Sequence, residues 1–352
     1  VASIVVAIPA RDEAERVEAC LIALNEQNQC PDAVVLLLNN CSDETETIAR
    51  SMASDFGFHL DVISRELPPH QANAGHARRM AMALAAERAG SGGVLLTTDA
   101  DAVVPPDWVS GNLAALRYGA DVVCGQAVVD RIEAEMIPAL LHADDVQERR
   151  SIGLLDDLAW ALDPEQHDPP PRHTEASGAS LAVWAEAHRR VGGIPAIAAG
   201  EDRAFVRALW MMDARVRHDP AIRVVVSGRV MGRAEGGMAD AIRRRMVQQD
   251  EFTDELVEPA ADAFRRYGLR NRARRGWSGS PDTTLAADLA ISRARLAQAL
   301  SQRYFGKTWA ELEAVSPVLE RRRVRFVDLP VEIAAAEELL DRLTLPETLA
   351  AD

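Results

Sequence analysis

The stretch TTDADAVVPPDW, Thr97 to Trp108, follows the apolar run Gly93-Val94-Leu95-Leu96. Val94–Thr97 reads as a buried strand, and just beyond it stand two aspartates one residue apart, Asp99 and Asp101. In extended backbone, residues i and i+2 share a face. Two carboxylates therefore stand side by side at the end of a strand. Like charges so placed repel and raise one pKa. A cation between them, or between them and a ligand, removes the conflict.

Strands and helices alternate on both sides of this stretch. Ile4–Ile8, Val34–Leu38, Leu60–Ile63 and Asp121–Cys124 are further short apolar runs. Between them lie helical patterns at Glu13–Leu24, Asp43–Phe56, Ala74–Ala89 and Trp108–Tyr118, with Ser42 or Asp43 as the cap of the second. This alternation predicts right-handed βαβ units and a mostly parallel sheet flanked by helices, an α/β fold. The rhythm breaks after Cys124. Ile132–Leu158 reads as helix, Pro164–His173 as a proline-rich loop or lid, and Ser177–Trp184 as a return to the sheet. Asp202–Met212 is a helix and Ile222–Ser227 a strand. Beyond residue 237 the pattern is helical: Met238–Val257, Thr283–Tyr304, Trp309–Leu319 and Val331–Leu343. The expected division is residues 1–236 as the site-bearing domain and 237–352 as a helical C-terminal extension.

The chain has 352 residues and a net charge of −15. Such an acidic surface repels a phosphate backbone on average, so nucleic acid is not an expected partner. Four cysteines without CxxC spacing fit reduced thiols in a cytoplasmic protein. No apolar run approaches the length of a membrane span.

In parallel α/β sheets, ligands bind beyond the carboxyl ends of the strands. Polar residues gather at four such places: Pro9 to Glu13 (PARDE), Asn39 to Thr45 (NNCSDET), Asp99 to Asp101, and Gly200 to Arg203 (GEDR) at the start of a helix. Each alone has a plain structural reading, since Asp caps helices readily. Their joint placement on one edge of one sheet points to a site. Ser227 to Gly237, SGRVMGRAEGG, carries Arg229 and Arg233 on a glycine-rich backbone. It reads as a phosphate cradle or, equally, as a mobile loop. GKT at Gly306–Thr308 looks like part of a P-loop, but position 301 is Ser where the leading glycine belongs, and no strand precedes it.

Together IPARDEAERVEACLIAL, LLLNNCSDETETIA, AGHARRMAMALA, LLTTDADAVVPPDWV and GEDRAFVRAL resemble a family 2 glycosyltransferase of the GT-A, Rossmann-like fold. The resemblance spans roughly residues 3–230 and leaves the helical tail uncovered. It implies that Pro9, Arg11 and Glu13 line a nucleotide pocket. It puts Asn40 where such enzymes commonly have a base-reading aspartate. Arg78 stands where the family often has arginine before asparagine, but Arg79 follows here; its guanidinium would hold a diphosphate or the DxD loop. Asp99 and Asp101 would be the DxD pair that holds Mg²⁺ or Mn²⁺ with the donor diphosphate, Asp101 being the more direct ligand. Asp202 would be the general base of an inverting enzyme, with Glu201 as its alternate and a plain helix cap as the other reading. His218 would be a third metal ligand or a turn residue.

The implied activity is transfer of a sugar, of hexosyl type, from a nucleoside diphosphate sugar to a hydroxyl on a small molecule, glycan or lipid carrier. The rivals are a nucleotidyltransferase, disfavoured because PARDE lacks glycine and lysine, and an inactive sugar-nucleotide-binding scaffold. The basic runs Phe264 to Trp277 and Arg321 to Arg325 read as solvated faces, or as docking sites for anionic lipid headgroups at the membrane periphery. The tail helices carry enough Leu and Ala to pack on each other or to form a homodimer.

Overall fold

The computed structural model describes residues 2–229, 238–248, 250–280 and 282–344. The chain forms two compact units. The first comprises Val1–Ile137, Pro170–Trp210 and Ala214–Arg244; the second comprises Pro138–Pro169, Met211–Asp213 and Arg245–Asp352.

The first unit is built on a sheet of β1 (Ile4–Ala10), β2 (Ala33–Asn39), β3 (His59–Arg65), β4 (Val94–Thr97), β5 (Val122–Val129), β6 (Leu181–Trp184) and β7 (Val216–Val226), in the order β3-β2-β1-β4-β6-β5-β7. The pairs β1/β2, β1/β4, β2/β3 and β5/β7 are parallel, and β6 runs antiparallel to both β4 and β5. Its helices are α1 (Val17–Asn25), α2 (Thr45–Met52), α3 (Ala74–Ala89), α4 (Trp108–Tyr118) and the short α5 (Arg131–Ala134). After α6 (Ala139–Leu162), which belongs to the second unit, come α7 (Ala185–Arg190) and α8 (Glu201–Trp210).

The central strands are apolar on both faces because both faces are covered, as parallel strands require. Val6, Ile8, Leu36 and Leu96 pack with Leu21 and Leu24 of α1 and with Trp108 and Leu113 of α4. Val5, Ala7, Val35, Leu37 and Leu95 pack with Ala77, Ala81 and Ala85 of α3 and with Phe205 and Leu209 of α8. Each fully buried Leu contributes about 1.5–3 kcal/mol of transfer free energy. Alanine at i, i+4, i+8 along α3 allows a close approach to the sheet, and that approach positions Arg78.

The second unit is helical. It holds α6, the end of α9 (Met238–Val247), α10 (Ala260–Trp277), α11 (Leu285–Asp288), α12 (Arg293–Leu300), α13 (Phe305–Val315) and α14 (Leu329–Thr344). Leu155 and Leu158 of α6, Ala260 and Ala263 of α10 and Ala336 of α14 form one apolar cluster. This is why 138–169 groups with the C-terminal helices, whereas the sequence division puts it before the 236/237 boundary. The helix expected over Ile132–Leu158 is two helices, with Pro138 as N-cap of the second; a proline there lacks only an N–H that the first turn leaves unpaired anyway. α10 lies in a stretch where the sequence pattern suggests a basic face, because its guanidiniums obscure the apolar period. The N-terminus of α13, where GKT lies, is capped by Asp213, whose carboxylate accepts from the N–H groups of Phe305 and Gly306 at 2.8 Å each. The position a phosphate would need is thus filled by the protein. Among the described residues, no helix is long and apolar enough to cross a membrane.

Candidate active site

The strand order reverses direction at β1: β2 and β3 lie to one side of it and β4 to the other. Ligand crevices form at such switch points, beyond the carboxyl ends of the strands. The segments leaving β1 and β4 carry Arg11–Glu13 and Asp99–Asp101.

Asp99 is held by Arg78. The buried guanidinium donates to Asp99 Oδ1 at 2.5 Å, to Glu201 Oε1 at 2.9 Å, and to Thr97 Oγ1 and the Gly178 carbonyl at 2.9 Å each. Of the two uses that the sequence suggested for Arg78, fixing the DxD loop is the one this geometry fits. Gly178 makes room for it: a Cβ there would lie 2.4 Å from the guanidinium carbon. The requirement is steric, and from sequence its one signal is a lone glycine before a strand.

Asp101 meets Arg229, which follows β7. The Arg229 fork is bidentate to Glu13, at 2.8 Å to Oε2 and 2.5 Å to Oε1, and Nη2 also lies 3.1 Å from Asp101 Oδ2. Burial and the neighbouring Asp99 charge push the Asp101 carboxyl up to about 6, against the pull of Arg229. Glu13 adds to the upward push. The conflict expected for paired carboxylates is therefore present and only partly relieved. A cavity of about 260 Å³, lined by Glu15, Arg16, Ala19, Asp101 and Val103, opens beside it. Glu133 organises the chain leading to Arg229. It accepts from Ser227 Oγ at 2.9 Å and the Gly228 N–H at 2.6 Å, and pairs with Arg16 at 2.7 Å. Sequence reading missed Glu133, since nothing local marks a contact across some ninety residues.

Glu201 and Asp202 open α8 in different surroundings. Glu201 is buried and tied to Arg78. Asp202 is half-buried; its Oδ2 accepts from the Gly178 N–H at 2.7 Å and its Oδ1 from the Arg203 N–H at 2.7 Å.

The remaining candidates sit as follows. Pro9 is in β1, opposite Leu37. Arg11 donates to the Ala72 carbonyl at 3.0 Å. Asn40 has a positive φ of 53°, and its carboxamide exchanges two 3.0 Å hydrogen bonds with the Leu67 backbone. Its neighbour Asn39 is buried, donates to the Asn73 carbonyl at 3.3 Å, and has a side-chain oxygen with no hydrogen-bond partner among the described residues. His218 lies in β7 beside Cys124, its ring edge-on to His173 at 5.6 Å. Among the described residues, the one group of three potential metal donors within 4.8 Å of each other is Asp12, Cys41 and Asp43. His218 thus forms no such group with Asp99 and Asp101. The Asp12–Cys41–Asp43 group is engaged in joining the loops after β1 and β2: Asp12 accepts from the Ser42 N–H at 2.6 Å, and Asp43 from the Ala14 N–H at 3.0 Å. Arg233 lies outside the described residues.

Carboxylates and arginines thus meet beyond the carboxyl ends of β1 and β4, at the switch point of the sheet. Residues 5–150 match the family model described as Glycosyl transferase family 2. No curated protein matches the chain. Among solved structures, the chain is similar to S. aureus TarS 1-349 in complex with UDP-GlcNAc, at 13% identity and a TM-score of 0.47, covering 97% of this chain and 90% of that one. It is also similar to the mannosyltransferase PcManGT from Pyrobaculum calidifontis in complex with GDP-Man and Mn²⁺, at 21% identity, TM-score 0.46, and coverage of 88% and 84%. A third is glucosyl-3-phosphoglycerate synthase from Mycobacterium tuberculosis with Mn²⁺, UDP and phosphoglyceric acid, at 19% identity, TM-score 0.43, and coverage of 70% and 78%.

Proposed function

We propose that the chain transfers a sugar from a nucleoside diphosphate sugar to an acceptor hydroxyl, with inversion and with a divalent cation in the crevice. The observation that carries this reading is a gathering of carboxylates around Arg78 and Arg229, with Asp99 and Asp101 beyond the end of β4. Among the described residues, Glu13, Asp99, Asp101, Glu201 and Asp202 gather around the guanidiniums of Arg78 and Arg229. All five are hard oxygen donors, the chemistry that suits Mg²⁺ or Mn²⁺. Asp101 and Asp99 would hold the ion, which supplies Lewis-acid stabilisation to a departing diphosphate.

The chain's own residues divide the remaining work. Arg78 fixes Asp99. Asp202 takes the acceptor proton on a carboxylate oxygen, since Glu201 is buried and committed to Arg78. The two backbone N–H groups on Asp202 fix its orientation, and orientation is most of what a general base at a displacement needs. Pro9 and Arg11, at and just beyond the end of β1, would line the nucleotide side of the site.

Screening UDP-GlcNAc, GDP-mannose and other nucleotide sugars with Mn²⁺ by thermal shift identifies the donor, because a ligand stabilises the fold it binds. With that donor, Asp202→Asn is expected to leave donor affinity near normal and to lower kcat by about 10²- to 10⁴-fold. Retained turnover would remove Asp202 as the base.

A further inference from the structure

Arg78 and Arg229 hold the two aspartates in unlike ways. Arg78 is fully committed: it is buried and spreads its donors over Asp99, Glu201, Thr97 and Gly178. Removing it from Asp99 would break a whole network. Arg229 is partly exposed, and its bonds are graded. Two short hydrogen bonds fix the fork on Glu13, while the contact to Asp101 is a single 3.1 Å approach by Nη2, which is already shared with Glu13. The backbone behind it is pinned. Gly228 is bonded to Glu133, and a Cβ at Gly228 would lie 2.6 Å from Val129 Cγ1. The side chain therefore has a fixed root, a strong anchor at Glu13 and a weak contact at Asp101.

We propose that Arg229 is a resident counter-cation: its guanidinium takes the cation's place at Asp101 while the crevice is empty, and yields it when a divalent ion arrives. This rests on the assignment of Asp101 as a metal ligand. No covalent bond changes. One N–H···O contact is lost, and Glu13 keeps the guanidinium close. Two effects follow. The empty protein is spared an uncompensated Glu13–Asp101 pair, and its affinity for the bare ion is suppressed. Ion and diphosphate then bind best together, as expected when one event removes an internal competitor of the other.

The test is Mn²⁺ binding to the full chain, without nucleotide, followed by electron paramagnetic resonance of the free ion. Arg229→Gln is expected to bind Mn²⁺ at least about 5-fold more tightly than wild type, at the lower end of ordinary coupling factors. Arg229→Lys keeps the charge but cannot bridge Glu13 and Asp101 as a fork does, and should also bind more tightly, by a smaller factor. Should Arg229→Gln fail to fold by circular dichroism, the lysine variant carries the test. Equal or weaker Mn²⁺ binding in the folded variant overturns the proposal. Asp101→Asn separates this failure from that of the underlying reading. If that variant still binds Mn²⁺ as wild type does, the metal assignment itself falls. If it loses the ion while the Arg229 variants gain nothing, only the counter-cation role falls.

Discussion

The sheet unit and the helical unit each contain an assembly of carboxylates and arginines, and the two are balanced differently. In the helical unit, Arg266, Arg270 and Arg274 recur every fourth residue along α10. Arg266 binds Glu258 through three contacts of 2.9–3.1 Å and reaches Glu313 at 3.1 Å. Arg270 and Arg274 share Asp163, at 2.8 Å and 2.9 Å, and both reach Glu165. Burial alone would raise the Glu165 carboxyl, but His167, Arg270 and Arg274 override it and hold it well below the usual carboxylate range. In the sheet unit the balance goes the other way, and the carboxyl of Asp101 stays high despite Arg229. A buried charge network that is satisfied is architecture. A buried carboxyl that stays raised beside a cavity, as Asp101 does, marks a candidate functional site.

The sharpest way to break this comparison is to remove one negative charge from each assembly. Asp163→Asn removes the buried carboxylate that Arg270 and Arg274 share, and should cost about 3–5 kcal/mol. Asp101→Asn in the metal-free protein removes a repulsion, and should cost less than about 1 kcal/mol or stabilise slightly. Chemical denaturation followed by circular dichroism reads both. Equal losses would mean that the crevice is as balanced as the helical network.

Much of this contrast was out of reach of the sequence, for definable reasons. The first-half elements were legible because their periods are clean: the expected bounds of Ala74–Ala89 and Trp108–Tyr118 are those observed. The antiparallel insertion of β6 and the strand order are long-range facts that no local pattern carries. The carboxylates of the site were visible as residues at strand ends, and so was Arg78. The partners of Arg229 were not, since 216 residues separate it from Glu13. The reading of Phe264–Trp277 as a solvated or lipid-facing basic run did not anticipate the pairing of Arg266, Arg270, Arg272 and Arg274. Their acidic partners Asp163, Glu165, Glu258, Asp282, Asp288 and Glu313 are scattered along the chain. An arginine run looks the same in sequence whether its charges meet water or buried carboxylates.

Acidity offers a gentler probe of the same contrast, because the two assemblies respond with opposite sign. Asp101 has its folded pKa raised to about 6, above an unfolded value of about 3.9. Between those values the native state binds more protons. The stability it contributes is complete below pH ~4 and is lost as pH rises through ~6, on the order of 1–3 kcal/mol. Glu165 is depressed in the fold. Its contribution is present above an unfolded value of about 4.3 and is lost as pH falls. Melting curves across this range should show wild type losing ground to Asp101→Asn between pH 4 and 7. Wild type should lose its advantage over Glu165→Gln below pH ~4.3. Parallel slopes for both pairs would remove the distinction.

The smallest expected effect tests whether burial and pairing, and not arginine as such, make the α10 network structural. Arg275 lies next to Arg274 but points to the exposed side of the helix, one hundred degrees around at 3.6 residues per turn. Arg274 stacks on the Phe305 ring, its guanidinium carbon 4.2 Å from the centroid, as well as binding Asp163. An exposed arginine on a helix surface gains little from charge, because water and salt screen it. Arg275→Gln should therefore change the unfolding free energy by no more than about 0.5 kcal/mol. Arg270→Gln, which removes one of the two guanidiniums that Asp163 and Glu165 share, should cost several times as much. If the two substitutions cost the same, the α10 arginines stabilise through the helix itself and not through the buried carboxylates they reach, and the helical unit ceases to be a balanced counterpart to the crevice.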